Sequence, residues 1–322
     1  MKKLYFSFAR FALLEIFNII NLKKDDKILL PSFICRDLLS PIYSKGAIPV
    51  FYDVNKELNP ILLPRNKNIK AVIAVNYFGF PQNLKIFKDY CKKNKCILIE
   101  DNAHGYLSRD ENNIPLGERG DFGIYSFRKT ISISEIGMLS INNSIFINNK
   151  NIQIPFSKSN IRLKFKIKIF LIKLQILTKI NFVSYGENFI RFFKLILYGN
   201  FISPSNPNEE FLIPKNPTPK IKSFDYLKSI NKKEEIKRRV YLFNFFKKKL
   251  KHYDIRPIFD KIPLNTCPKG YPFISDIKTA NKIKNLARKS KGFNCISWPN
   301  LPSNQKKYDR FYSKVYLINF AY

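Results

Sequence analysis

The chain has 322 residues, with 57 Lys and Arg against 24 Asp and Glu, a formal charge of +33 and a pI near 9.9. With 45% hydrophobic and 15% aromatic residues it has ample material for a buried core, which excludes disorder as its bulk state. Five scattered cysteines (Cys35, Cys91, Cys96, Cys267 and Cys295), with no secretory leader ahead of them, read as free thiols in a reducing compartment, so a cytoplasmic location is expected.

The first residues are basic, but Glu15 interrupts the apolar stretch 11–22 and no small-residue cleavage site follows it, so no export signal is read there. Five short runs predict buried strands: 27–31 (KILLP), 47–52 (AIPVFY), 70–75 (KAVIAV), 96–100 (CILIE) and 122–126 (FGIYS), each β-branched or aromatic and bounded by Pro, Gly, Asn or Asp. Residues 36–45 and 83–94 predict helices between them. Strand and helix in alternation point to an α/β fold with a mostly parallel sheet, in which ligands sit beyond the carboxyl ends of the strands. Residues 138–142 predict one more strand.

Beyond it the character changes. Residues 151–200 are basic and apolar with helical spacing, and 161–180 carries too many lysines to cross a bilayer. The Pro-rich stretch 203–220 predicts a linker, and 223–252 predicts one long Lys- and Arg-rich helix, with Arg238 and Arg239 on its solvated face. A strand near 272–274, a helix over 278–291 and a strand near 295–298 would close the chain. The expected organisation is a large domain over 1–150, a basic helical segment and linker over 151–220, and an interdomain helix with a small α+β domain over 221–322.

Absent motifs narrow the chemistry. There is no GxGxxG and no GxxxxGK[ST], and with only His104 and His252 no metal site is expected. Cys91 and Cys96 read as a helix end and a strand start. What remains lies at successive strand ends: Asp101 and His104 after one, Ser126 and Lys129 after the next. Glu100 and Asp101 are neighbours on a strand and point to opposite faces, so only one can face the crevice. An acid, a histidine, a hydroxyl and an amine in this setting suit a phosphorylated, carbonyl-bearing aromatic cofactor: Asp101 against a ring nitrogen, Ser126 on a phosphate and Lys129 as the amine of a Schiff base.

The series 7–13 (SFARFAL), 30–35 (LPSFIC), 75–81 (VNYFGFP), 99–105 (IEDNAHG), 120–139 (GDFGIYSFRKTISISEIGML) and 296–299 (ISWP) resembles the DegT/DnrJ/StrS-type sugar aminotransferases, and within them a subgroup with the pattern SFRK. The resemblance implies a three-layer fold type I transferase with pyridoxal 5'-phosphate as cofactor. It implies a homodimer that acts on a keto nucleotide-sugar for surface polysaccharide or amino-sugar synthesis, with glutamate as amino donor. Lys129 would be the Schiff-base lysine, Asp101 would hold the pyridinium proton, and His104 would lie near the phenolic oxygen. Ser126 would bind the phosphate together with the backbone N–H groups of Arg10 and Phe11 at a helix start. Tyr77 and Cys35 are candidate substrate contacts.

Departures from the family pattern are Ala9 and Ile136 where glycine is usual, and Cys35 where an aromatic covers the cofactor. They keep a catalytically inactive relative open as an alternative. Relatives specialised for dehydration carry His at the lysine position, which Lys129 speaks against. An alternative of another class is a basic protein that binds nucleic acid or an anionic membrane through residues 151–200; for the enzyme no nucleic acid is expected, and an anionic membrane surface is a candidate contact.

Overall fold

The computed structural model describes residues 1–65, 68–131, 133–147, 154–160, 163–180, 182, 185–186, 207–305 and 311–321. Much of the basic 151–200 stretch and the start of the Pro-rich one thus lie outside the described residues.

A seven-stranded sheet dominates. In chain order its strands are β1 (Lys2–Phe6), β2 (Lys27–Pro31), β3 (Ile48–Tyr52), β4 (Ile69–Val75), β5 (Ile97–Asp101), β6 (Phe122–Ser126) and β7 (Gly137–Ile141), arranged in space as β1-β7-β6-β5-β4-β2-β3. The pairs from β3 to β6 are parallel, while β6–β7 and β7–β1 are antiparallel. Helix α1 (Ala9–Ile19) enters after β1 and buries Ala12, Leu13, Ile16 and Phe17, the helical spacing that lays one stripe on the sheet. Helix α2 (Leu39–Ser44) continues a 3-10 turn at Arg36–Leu38, and α3 (Lys85–Asn94) buries Phe87 and Cys91 one turn apart. The four-residue α4 (Phe127–Thr130) follows β6 directly.

Helix α5 (Leu163–Thr178) lies in the basic stretch. The long helix expected over 223–252 is two: α6 (Ile221–Ser229) and α7 (Lys232–Lys249). The reason is local, since Asn231 has an extended backbone and its side chain accepts from the Glu234 N–H, capping a first turn that holds Glu234 and Glu235. A second sheet has the order β10-β11-β9-β8 and is antiparallel throughout, with β8 (Arg256–Pro257), β9 (Gly270–Ile274), β10 (Cys295–Ser297) and β11 (Val315–Asn319); α8 (Ile277–Lys291) packs on it.

The two sheets meet along a seam of main chain. The Lys269 N–H donates to Phe78 O at 2.8 Å and Arg109 N–H to Asn265 O at 2.8 Å, while the Ser108 hydroxyl donates to Gly79 O at 2.6 Å and accepts from Cys267 N–H at 2.9 Å. Gly79 has φ +88, and a Cβ there would stand 2.6 Å from Cys267 O, so both its backbone conformation and its surroundings require glycine.

Candidate active site

Parallel β5 and β6 end side by side, with Asp101 in register with Ile124, and the polar residues that follow both strands line one pocket. Asp101, His104, Ser126 and Lys129, the four side chains singled out in the sequence, all contribute to it, as do Ala9, Arg10, Cys35 and Trp298. Strand alternation decides the acid. Glu100 is fully buried on the other face, held by Arg119 at 2.6 Å and by the Asn76 amide at 2.9 Å, which leaves Asp101 to face the pocket.

Asp101 and His104 reach the pocket with hydrogen-bonding capacity unspent among the described residues. Asp101 accepts one hydrogen bond, from the Ala103 N–H to Oδ1 at 2.9 Å. Its carboxyl is pushed above the usual range by burial, against the pull of Lys129, the Ala103 N–H and Lys269. His104 accepts from the Phe78 N–H at Nδ1, 3.3 Å away, which puts its proton on Nε2, and that buried Nε2 has no partner among the described residues. Burial first, then the cations Lys269 and Lys129, hold His104 well below the ordinary histidine range, so the ring is neutral. It is clamped between Phe78, stacked at 5.8 Å, and the edge of Trp298 at 5.1 Å.

The turn bearing Lys129 is tied from two directions. The Thr130 hydroxyl donates to Ala103 O at 3.2 Å, which fixes the turn to the Asp101–His104 segment, and Arg239 of α7 donates Nη2 to Thr130 O. Arg239 also pairs with Glu235 at 2.6 Å and is fully buried. This corrects the sequence expectation of a solvated face: Glu235 gathers both Arg238 and Arg239, while the neighbouring lysines of α7 stay in solvent. Ser126 caps α4 by position, yet its hydroxyl makes no capping bond.

Two other expectations need correction. The Phe11 N–H is taken by Phe8 O at 3.1 Å and its side chain is buried, so Ala9 and Arg10 are the residues of the α1 start that line the pocket. They can approach β7 because of Gly137, where a Cβ would stand 2.6 Å from Ala9 N. Tyr77 is core: its hydroxyl donates to Phe33 O at 2.8 Å and its ring packs on Phe33 and Trp298.

Three residues were not expected at the site from sequence. Trp298 stood inside a quoted motif, and being the single Trp in the chain was its only signal. Lys269 immediately precedes β9 and is buried; burial, then Lys129, hold its amine well below the ordinary lysine range. A lysine between Pro268 and Gly270 ahead of an apolar strand was the available clue. Arg239 was one cation among many, and only Glu235 four residues earlier marked it.

The pocket fits a planar, phosphorylated ring: an acid oxygen and an N–H that have no partner among the described residues, a hydroxyl, helix-start amides and an amine line one space. Among the described residues no group of three or more His, Cys, Asp or Glu could hold a metal ion.

Residues 9–153 match the model of the DegT/DnrJ/EryC1/StrS aminotransferase family, which bears out the resemblance carried by the motifs. The chain is 30% identical over 135 residues to GDP-perosamine synthase of Vibrio cholerae, covering 40% of this chain and 36% of that protein. It is 33% identical over 121 residues to dTDP-4-dehydro-2,3,6-trideoxy-D-glucose 4-aminotransferase of Saccharopolyspora spinosa, covering 36% of this chain and 31% of that one. The sequence match thus spans about a third of the length of these curated relatives. The fold reaches further: the crystal structure of GDP-4-keto-6-deoxymannose-3-dehydratase with a trapped PLP-glutamate geminal diamine superposes with a TM-score of 0.61 at 19% identity, over 98% of this chain and 83% of that one. The α/β fold type I architecture expected from sequence is borne out.

Proposed function

We propose that the chain is a pyridoxal-phosphate-dependent aminotransferase that moves an amino group, from glutamate, onto the keto carbon of a nucleotide-linked sugar, working as a cytoplasmic homodimer. The observation that carries this reading is the convergence of Lys129, Asp101, His104 and Ser126 on one pocket, with Asp101 and His104 each holding a hydrogen-bonding position in reserve. The proteins it resembles in sequence are named for amination of nucleotide sugars, and a structural neighbour holds PLP and glutamate. The division into parts 1–150, 151–220 and 221–322 belongs to the same proposal.

When bound, pyridoxal phosphate supplies an electron-withdrawing ring that stabilises negative charge at the substrate carbon. The chain's part is to hold and to move protons. Asp101 keeps its oxygen for the ring N–H, a pairing that stabilises its carboxylate where burial alone disfavours it. His104, neutral, donates from Nε2 to the ring oxygen. Ser126 and the amides at the α1 start take the phosphate, with the helix dipole behind them. The Lys129 Nζ, on a turn tied at Thr130 from both sides, would be the base that moves the proton between the substrate carbon and the cofactor. Trp298 and Phe78 hold the His104 ring and wall that side from water.

The test is a visible absorption spectrum of the purified chain with added pyridoxal phosphate. Wild type is expected to show a band that borohydride bleaches, and Lys129→Ala to lack it. Wild type without such a band sinks the proposal, and a bleachable band that survives Lys129→Ala moves the reactive amine elsewhere.

A further inference from the structure

We infer that α5 (Leu163–Thr178) is a docking face for an anionic lipid surface, a role independent of the aminotransferase reading. Among the described residues the helix is seated on the smaller sheet's side of the molecule through the face that carries Gln175 and Ile176. Gln175, almost completely buried, donates its amide to Gly292 O at 2.8 Å and to Asn294 Oδ1 at 3.0 Å, and Ile176 packs against the core. The seat is close: a Cβ on Gly292 would stand 2.6 Å from Ile176 Cα. At about 100° per residue the half-buried Phe165, Ile169 and Ile172 lie on that same side.

The opposite side carries Leu163, Ile167, Phe170 and Leu177, which are 71%, 50%, 64% and 80% exposed. They fall within about 80° of one another around the axis and so form a single stripe along the helix. Exposed Lys166 and Lys173 run along one flank. The charge along this part of the chain is of one sign, since residues 136–186 contain eight Lys or Arg and no Asp or Glu.

These two properties together select the occupant. Exposed aliphatic and aromatic groups in a stripe call for a partner that removes them from water. A second copy of the chain would do so but would set this acid-free, cationic segment against its own like charges. Nucleic acid would meet the charge but offers nothing to an aliphatic stripe. The interface of an anionic bilayer takes both at once, with the apolar stripe in the acyl boundary and the lysines among the headgroups. No helix among the described residues is long and apolar enough to cross a membrane, so the contact is peripheral.

The test is flotation of the full chain with vesicles of phosphatidylcholine alone and of phosphatidylcholine with phosphatidylglycerol, for wild type, F170E/L177E and K166E/K173E, with light scattering of the same samples. The substituted side chains are exposed, and circular dichroism confirms that the variants fold. Wild type should partition onto the anionic vesicles about tenfold or more above the neutral ones, and each double variant should lose about tenfold on the anionic vesicles. Equal partition onto both vesicles, or anionic binding unchanged in F170E/L177E, overturns the inference. So does a wild type that leaves vesicles alone and forms dimers that F170E/L177E converts to monomers, which would make the stripe a face between copies. The borohydride-sensitive band is read in the same samples; its absence from wild type would unseat the enzymatic reading and leave the vesicle result standing.

Discussion

A guanidinium shut off from solvent must have each nitrogen answered, and Arg239 has two of three engaged, Nε on Glu235 and Nη2 on Thr130 O, while Nη1 has no acceptor among the described residues. Arg239→Met strips Thr130 O of its donor and leaves Glu235 to Arg238 alone. Because Glu235 keeps Arg238, the loss is chiefly the donor to Thr130 O and one arm of the ion pair, so the urea midpoint should fall by the equivalent of about 1–3 kcal/mol, and Arg239→Lys should restore it only in part because it lacks the planar fork. The pH response at His104 has a definite sign. Its folded pKa is depressed below the ordinary 6.5, so the unfolded chain takes up the proton first as pH falls, and the stability tied to the neutral ring is present above 6.5 and lost below it. Urea midpoints of the ligand-free chain at pH 7 and pH 5.5 should therefore separate more for wild type than for His104→Asn. Lys269 has the same sign over a higher window, so Lys269→Met, which removes the buried amine, should raise the urea midpoint at pH 7. The pocket-facing Asp101, His104, Ser126 and Lys129 were legible because their positions follow from strand ends. Arg239 and Lys269 were not, since in a chain with 57 cations the buried ones carry no mark of type.

Among the elements, the parallel strands were read within a residue or two because each is a continuous apolar run with a breaker at its end. Strand β1 was missed: it sits at the sheet edge, and its alternating burial with lysines at 2 and 3 resembles a charged leader more than a strand. Strand β11 was missed because Val315–Asn319 is a short run whose pairing with both β9 and β10 is entirely non-local. The break between α6 and α7 did have a signal, Asn231 with Glu234 three residues on, which the density of lysines around it obscured. Asn231→Ala should cost about 1 kcal/mol in urea denaturation, the usual effect of losing a cap. The approach of α1 to β7 rests on a missing atom. Gly137→Ala should destabilise by about 1–3 kcal/mol, as overpacking does, and because Ala9 and Arg10 move with the helix start it should also weaken retention of pyridoxal phosphate in equilibrium dialysis.

For the whole molecule, +33 is a load the fold has to carry. The predicted chemistry uses only a few cations, and α5 accounts for a local share; the rest repels itself across the surface. Raising NaCl from 0.05 to 0.5 M should therefore raise the melting temperature, by about 2–4 °C for each ~1 kcal/mol of repulsion screened. A melting temperature that falls with salt would show that surface ion pairs outweigh the repulsion. The seam between the sheets has a further consequence. Its hydrogen bonds at Phe78, Lys269, Arg109 and Asn265 are made by main-chain atoms, which no substitution removes short of proline. Side chains add to the join, among them the Tyr312 hydroxyl on Ser32 and Val54 and the ring of Phe80 on Phe259, but these main-chain bonds do not depend on which residues carry them. Within the seam of main chain, Gly79 and Ser108 contribute through what is particular to their side chains, one by having none and the other by its hydroxyl. A chain so joined can drift far in composition while the pocket above β5 and β6 keeps its walls in place, and a 19% identical relative can share its architecture almost end to end.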